Sequence, residues 1–575
     1  MFIRPYFRTI NGKRRAYWAL VESYRTERGP RQRVVAHLGK LDEAGRLGLK
    51  QAAEEKPRSS QRKLFPEPEP EWVEVDASAV RVENCRQFGG PWLALELIKT
   101  LGLDAFLRET IPSGREEVPW SVMALVLVIA RLCDPSSELS IAENFYRKTA
   151  LSDLLGVPEE KVYDNRLYRA LDKLLPHKAE LEVFLKEKLG ELFELEYDLL
   201  LYDVTSTYFE GDAKANPLAQ RGYSRDKRGD CKQVTIGLVV SRCGMPLGYE
   251  VFAGNRTDVT TLQEIVETME ARYGKSNRIW VMDRGMVSEE NLDFLKGGDR
   301  RYIVGTPKSM LKKFEQQLLG EDWHAIREGL EVKLCASPDG EAETFILCRS
   351  RDRGEKEKAM YERFEKRIEE RLTLMAERCG KQKRNPLKVA RAVGRLLGQN
   401  SRAAGLFDVD VRQRDDGGTE LVWKKVKAWQ DWSELSEGCY LLRTNVADWS
   451  DEELWKAYIQ LTEAEAAFRI HKSDLSIRPV WHQKEDRVLA HILVCFLAYV
   501  LWKTLAGLCE RFGLGNEPRR VLEELKEIRV VDVVIPTRKG IEIRRRCVTK
   551  PSDHQQILLE KLGLSLPSQL KVIEM

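Results

Sequence analysis

The sequence predicts an α+β protein built on a mixed β-sheet with helices on its faces, and three observations lead there. Between residues 198 and 305 apolar runs and turns read β, β, β, α, β, α, β, consecutive strands giving way to alternating helix and strand. Residues 84–195 carry helical periodicity with few strand signals. Residues 1–40 alternate polar with apolar or aromatic side chains, with Gly12 and Gly29 as turn signals. At 575 residues, the chain is long enough for several units with a large core.

The opening segment reads as a small basic hairpin or meander. Ten Lys and Arg, among them Arg14 and Arg15, stand there against Glu22 and Glu27, although the whole chain carries a formal charge of only +4. Such an arm suits a polyanion, and a solvated edge sheet accounts for it equally. Residues 41–76 turn to Glu, Lys, Pro and Ser and end in FPEPEPEW, a linker. In the helical stretch Ser140 and Glu143 make a capping-box pair, and residues 165–175 form a second helix. Its Arg166, Arg169 and Lys173 form a face able to enter a groove or simply to be solvated.

The segment 198–209, DLLLYDVTSTYF, reads as a strand buried on both faces and interrupted by Asp203. A buried carboxylate is costly unless it is paired, hydrogen-bonded or facing a cation. Asp203 is therefore either held by Thr205 or Ser206 or presented as a metal ligand. A polar loop, GYSRDKRGD, precedes strands at 232–241 and 245–252; GNRTD at 254–258 leads into a helix at 259–273, with Asp258 as a helix cap or an extra acid. The strand 278–282 ends on Asp283, and a helix near 289–295 and a strand 301–305 follow. In this order the first and fourth strands can lie side by side, which brings Asp203 and Asp283 together. Their repulsion would ask for a divalent cation.

Residues 307–446 read as an insertion. Strand pairs at 330–334 with 344–348 and at 406–411 with 420–426 flank charged helices, and the basic run Lys381, Lys383, Arg384, Lys388, Arg391, Arg395 suits a phosphate backbone or a solvated face. Trp423, Trp429 and Trp432 are candidates to stack on an extruded base, with strand packing as the alternative. After a strand at 440–444, a helix from 451 to 472 spaces Tyr458, Glu465 and Lys472 seven apart, within about 40° of one face.

The run 488–508 is long enough to span a bilayer, but His491, Lys503 and the preceding Asp486 and Arg487 favour a buried helix and no membrane partner. Eleven scattered cysteines without a C-x-x-C pair indicate neither a zinc site nor a disulfide framework, in keeping with a reducing cytoplasm. No signal peptide is expected after Arg4 and Arg8. A final strand pair around 530–543 leads to Arg544, Arg545 and Arg546, which touch nucleic acid or nothing.

YDVTSTYFEG at 202–211, GNRTD at 254–258, WVMDRGM at 280–286 and YIQLTEAEAAFRIHKSDLSIRPVWH at 458–482 together resemble the bacterial insertion-sequence transposases of the DDE type. These have an RNase H-like catalytic fold and a third motif, Tyr-x2-Arg-x3-Glu-x6-Lys. The similarity covers roughly 198–508, and Leu461 stands here where the motif has Arg. The resemblance implies that Asp203, Asp283 and Glu465 are the catalytic acids and bind two Mg²⁺ or Mn²⁺ ions. It also implies that Tyr458 and Lys472, with Arg469 in support, hold the terminal nucleotides.

The expected organisation is a basic arm at 1–45, a linker at 46–80, a helical DNA-binding domain at 81–195 and an RNase H-like domain at 196–307 and 447–512. An insertion at 308–446 separates the two parts, and 513–575 form a C-terminal region. The expected partners are double-stranded DNA, as terminal inverted repeats and target, and a second copy of the chain on paired ends. No small-molecule substrate is expected, and the expected place is the bacterial cytoplasm at the nucleoid. A nuclease without strand transfer and a DNA-binding regulator with a dead site are the competing readings.

Overall fold

The computed structural model describes residues 2–10, 13–26, 29–39, 73–340, 342–415 and 417–570. The chain divides into two units, one of residues 1–76 with 537–540, the other of residues 77–536 with 541–575. In the first unit β1 (Phe2–Ile10), β2 (Lys13–Thr26) and β3 (Gly29–Gly39) form an antiparallel meander. The side chains of Arg14 and Arg15, on β2, and nearly all of the linker lie outside the described residues.

The second unit opens on β4 (Arg81–Gln87), where a helix was expected from residue 84. Tertiary pairing overrides the periodicity: β4 lies antiparallel to a strand of the C-terminal region, with Asn84 at φ 52° where the register shifts. Helices then dominate, with α1 (Gly89–Leu101), α2 (Trp120–Cys133), α3 (Asp164–Leu174) and α4 (Lys178–Phe193). Before the turn around residue 140 the helix cap is Ser137, whose side chain accepts from the Ser140 N–H, and not Ser140 itself. On α3, Arg166 is buried and donates to the Lys161 carbonyl at 2.7 Å, so it packs rather than reads a groove. Arg169 and Lys173 remain exposed.

A nine-stranded mixed sheet follows. It contains β5 (Leu199–Tyr208), β6 (Gln233–Ser241), β7 (Pro246–Ala253), β8 (Ile279–Met282) and β9 (Arg301–Gly305), then β10 (His324–Arg327), β11 (Leu330–Ala336) and β12 (Thr344–Ser350). The order across the sheet begins β7-β6-β5-β8-β9, with β5, β8 and β9 parallel and β6 and β7 antiparallel. This is the RNase H-like arrangement, and α5 (Leu262–Tyr273) and α6 (Glu289–Gly297) cover it from the β7–β8 and β8–β9 crossovers.

The strands read as an outlying pair at 330–334 and 344–348 instead extend this sheet. β12 pairs with β11 and, on its other side, with a strand from residues 439–444, and those backbone bonds are the reason the pair cannot stand apart. The inserted layer proper is α7 (Arg351–Lys381), α8 (Pro386–Gln399) and the hairpin of β13 (Phe407–Gln413) and β14 (Thr419–Lys425). It has its own core around Ile368, Leu372 and Leu406.

β15 (Cys439–Thr444) returns the chain to the sheet. The helix expected as one piece from 451 to 472 is two, α9 (Asp451–Ile459), begun by a Ser450 capping box, and α10 (Leu461–Ser473), broken at Gln460. The sevenfold spacing of Tyr458, Glu465 and Lys472 thus spans a break. α11 (Glu485–Arg511) is long and apolar enough to cross a membrane by length and composition, and 83% of its most apolar window is buried in the protein. It packs on α2 and α3, one core serving the helical layer and one face of the sheet.

The C-terminal region carries α12 (Pro518–Lys526), β16 (Arg529–Pro536) and β17 (Glu542–Val548), with β16 between β17 and β4. There Arg546 pairs with Asp532 and Asp153, and Arg544 reaches Glu83 and Glu542, so both serve the packing of this small sheet.

Candidate active site

Leucine, valine and β-branched residues bury β5 on both faces, and Asp203 is the first break in that burial. Its Oδ1 accepts from the Val204 N–H at 2.8 Å, not from Thr205 or Ser206. Tyr202 pairs with Met282 across the parallel strands β5 and β8, so the next residues on each, Asp203 and Asp283, are neighbours. Asp283 lies just beyond the strand, exposed, at the start of a single 3-10 turn. Strand ends of this kind present side chains to a site.

α10 packs on β5 and supplies the third acid, the exposed Glu465. Burial pushes the Asp203 carboxyl up to about 7. The Val204 N–H and the Arg225 guanidinium oppose that rise, while the charges of Asp283 and Glu465 add to it. The charges of Asp283 and Glu465 are thus close enough to act on Asp203.

Tyr458 reaches in from α9 and donates from Oη to Asp283 Oδ1 at 3.3 Å. It does so over Gly305 at the end of β9, where a Cβ would stand 2.5 Å from that Oη. Leu461, in the position of the motif Arg, is buried against the core, so this chain has no place for a cation there. Arg469 is exposed, one turn beyond Glu465 on α10, and makes no ion pair among the described residues.

Lys472 is turned aside from solvent and ion-pairs with Asp226 at 2.9 Å. Asp258 caps no helix: its Oδ1 binds the Arg225 guanidinium, and its Oδ2 lies 3.4 Å from where a Cβ of Gly285 would be. Asp258 thus flanks the Asp283 turn. Arg225, Asp226 and Gly305 were not picked out from sequence. The adjacent opposite charges in RDKRGD were the available signal for the first two.

Beside this site Arg284 and Lys308 border a cavity of about 620 Å³ that Trp429 and Trp432 also line. Trp423 is elsewhere, edge-on to Phe407 at 5.7 Å in the inserted layer. A further cluster, Glu138, His482 and His491, brings ligand atoms within 4.8 Å of one another. Arg131 Nη2 lies 3.4 Å from His491 Nδ1, and His482 Nε2 lies 3.3 Å from Glu138 Oε1. The cluster is buried where α2 meets α11, and burial keeps the His491 ring neutral.

The family model of the transposase DDE domain matches residues 194–501, more than half of the chain, and that of the IS1634 family transposase N-terminal domain matches residues 4–69. The chain belongs to the insertion-sequence transposases of the DDE type. No match was found among curated proteins. Among solved structures, a piggyBac transposase synaptic complex with hairpin DNA, determined by cryo-EM, is similar at 10% identity. That match covers 79% of this chain and 82% of the other with a TM-score of 0.36, too distant to add to the argument.

Proposed function

We propose that the chain is a cut-and-paste DNA transposase. It binds the terminal inverted repeats of its insertion sequence, cleaves the ends and joins the 3′ ends to target DNA. The observation that carries this reading is the parallel register that makes Asp203 and Asp283 neighbours, with Glu465 close enough to raise the Asp203 pKa. These three would hold two Mg²⁺ or Mn²⁺ ions, which supply activation of a water or 3′-hydroxyl and stabilisation of the leaving oxygen.

The chain's own residues do the rest. The Tyr458 hydroxyl holds one Asp283 oxygen in place. The exposed Arg469 lies toward an incoming strand beside Glu465. Trp429 and Trp432, on the cavity that Arg284 borders, give an extruded base an aromatic wall. Arg14 and Arg15 belong to the basic arm that contacts the repeats, together with the helical layer of residues 81–195. Strand transfer needs both ends held together, so the working form is a homodimer on paired ends, in the bacterial cytoplasm at the nucleoid.

The test is cleavage and joining of DNA carrying the element's own ends, in Mg²⁺ and in EDTA, for the wild type and Glu465→Gln. Metal-dependent release and joining, lost in the variant while DNA binding persists, is expected. Cleavage without joining would replace this reading by that of a nuclease, and binding without chemistry by that of a regulator. Sedimentation of the complex with paired ends should show two subunits.

A further inference from the structure

The loop between β5 and β6 carries two adjacent residues of opposite charge, and each meets its complement at the edge of the acid cluster. Arg225 pairs with Asp258 and lies close enough to Asp203 to oppose the rise of its pKa. Its backbone N–H reaches Ser206 Oγ at 3.4 Å, which ties the loop to β5 three residues past Asp203. The next residue, Asp226, turns the other way. Its Oδ1 takes both Lys472 Nζ, at 2.9 Å, and the Arg478 guanidinium, while its Oδ2 is buried with no partner.

The balance around Asp226 is uneven. One carboxylate, its side chain 5% exposed, faces Lys472 and Arg478, and Arg225 adds its charge to the same neighbourhood. A single carboxylate oxygen shared by two cations, with the second oxygen unsatisfied, is poor use of a buried anion. A phosphodiester spreads its one negative charge over two non-bridging oxygens and would give each cation an oxygen of its own. Lys472 leaves α10 two turns beyond Glu465 and Arg478 lies in the segment that follows, and both meet Asp226, the neighbour of the Arg225 that acts on Asp203.

We propose that Arg478 joins Lys472, already expected at the DNA, in binding one backbone phosphate and that Asp226 fills this site in the DNA-free chain. Arg478 is then a further DNA-positioning residue, and the loop carrying Arg225 and Asp226 shifts when DNA enters. This rests on the transposase reading for the nature of the phosphate but not for the existence of the site.

Two binding measurements test it on the full chain. In fluorescence anisotropy with duplex DNA, with and without the element's ends, Asp226→Asn should tighten binding about tenfold. Arg478→Ala should weaken it and lower the slope of log affinity against log salt by about one. The double variant should lose the gain.

In thermal unfolding with inorganic phosphate against chloride at equal ionic strength, Asp226→Asn should gain stability that neither the wild type nor Asp226→Asn/Arg478→Ala gains. Phosphate stabilisation without tighter DNA binding would overturn the DNA assignment. Unchanged responses to both would overturn the site, even in a wild type that cleaves and joins its ends. A wild type that joins nothing while Asp226→Asn still binds phosphate and duplex DNA more tightly would sink the transposase reading alone.

Discussion

The Tyr458 hydroxyl donates to Asp283 at 3.3 Å because Gly305, beneath it, has no side chain. Strand β9 and helix α9 come within a hydroxyl's width of each other at the acid that ends β8. Burial and the adjacent Asp283 charge raise the Tyr458 pKa, so the phenol stays a donor at neutral pH. Gly305→Ala would put a Cβ 2.5 Å from that hydroxyl, and backbone on the other side leaves the ring as the part that must move. End cleavage should fall about 10²-fold, as a small misplacement at a reacting centre costs. Tyr458→Phe should lose less, with circular dichroism unchanged in both. Equal activity of Gly305→Ala and wild type would refute the role given to this contact.

Asp203 is held against Asp283 and Glu465, with the Val204 N–H and Arg225 opposing their charges. Asp203→Asn removes a charge that the metal-free fold disfavours, so its thermal midpoint in EDTA should exceed that of the wild type. With Mg²⁺ or Mn²⁺ the order should reverse, since a ligand bound only by the wild-type fold stabilises only that fold. Differential scanning calorimetry with and without the ion checks both signs.

The three insertion tryptophans should separate by assay. Trp429→Ala and Trp432→Ala, at the cavity beside Arg284, should impair end processing in the folded fraction, with Trp429→Ala also costing stability because its ring stacks on Tyr361. Trp423→Ala removes the ring packed on Phe407 and should cost on the order of 2 kcal/mol, read as a lower urea midpoint, with processing retained in the folded fraction. A Trp423 variant that unfolds normally but fails in processing would reverse the assignment.

His471 and His491 are buried, and burial lowers their pKa values from 6.5 to about 4 and about 3, with Arg131 and His482 adding to the shift at His491. The unfolded chain takes up these protons near pH 6.5 while the folded chain refuses them. Their contribution to stability is therefore present above that pH and lost as pH falls from about 6.5 toward 4. The urea midpoint should drop between pH 7.5 and pH 5, and His471→Gln should show a smaller drop. An equal drop in that variant would exclude His471 as a contributor.

Elements whose signal is local were legible in the residues themselves. The apolar run of β5, the strand ending on Asp283 and the three-strand-then-crossover order all follow from side-chain patterning, and topology then makes β5 and β8 neighbours. The burial of α11 was legible too, from the charges and His491 in a run otherwise fit for a bilayer. The pairing of β4 with β16, and of β12 with β15, joins residues hundreds or tens of positions apart. A strand's hydrogen bonds are made to a partner that periodicity does not name, so these pairings emerge only once the chain is folded.

The same holds at the site. The break at Gln460 changed the meaning of the sevenfold spacing, and the charges of RDKRGD, which read as a polar loop, turn out to meet Asp258, Lys472 and Arg478. A charged side chain declares its sign in the sequence. Its partner is chosen by the fold, because charges pair by distance in space and not along the chain.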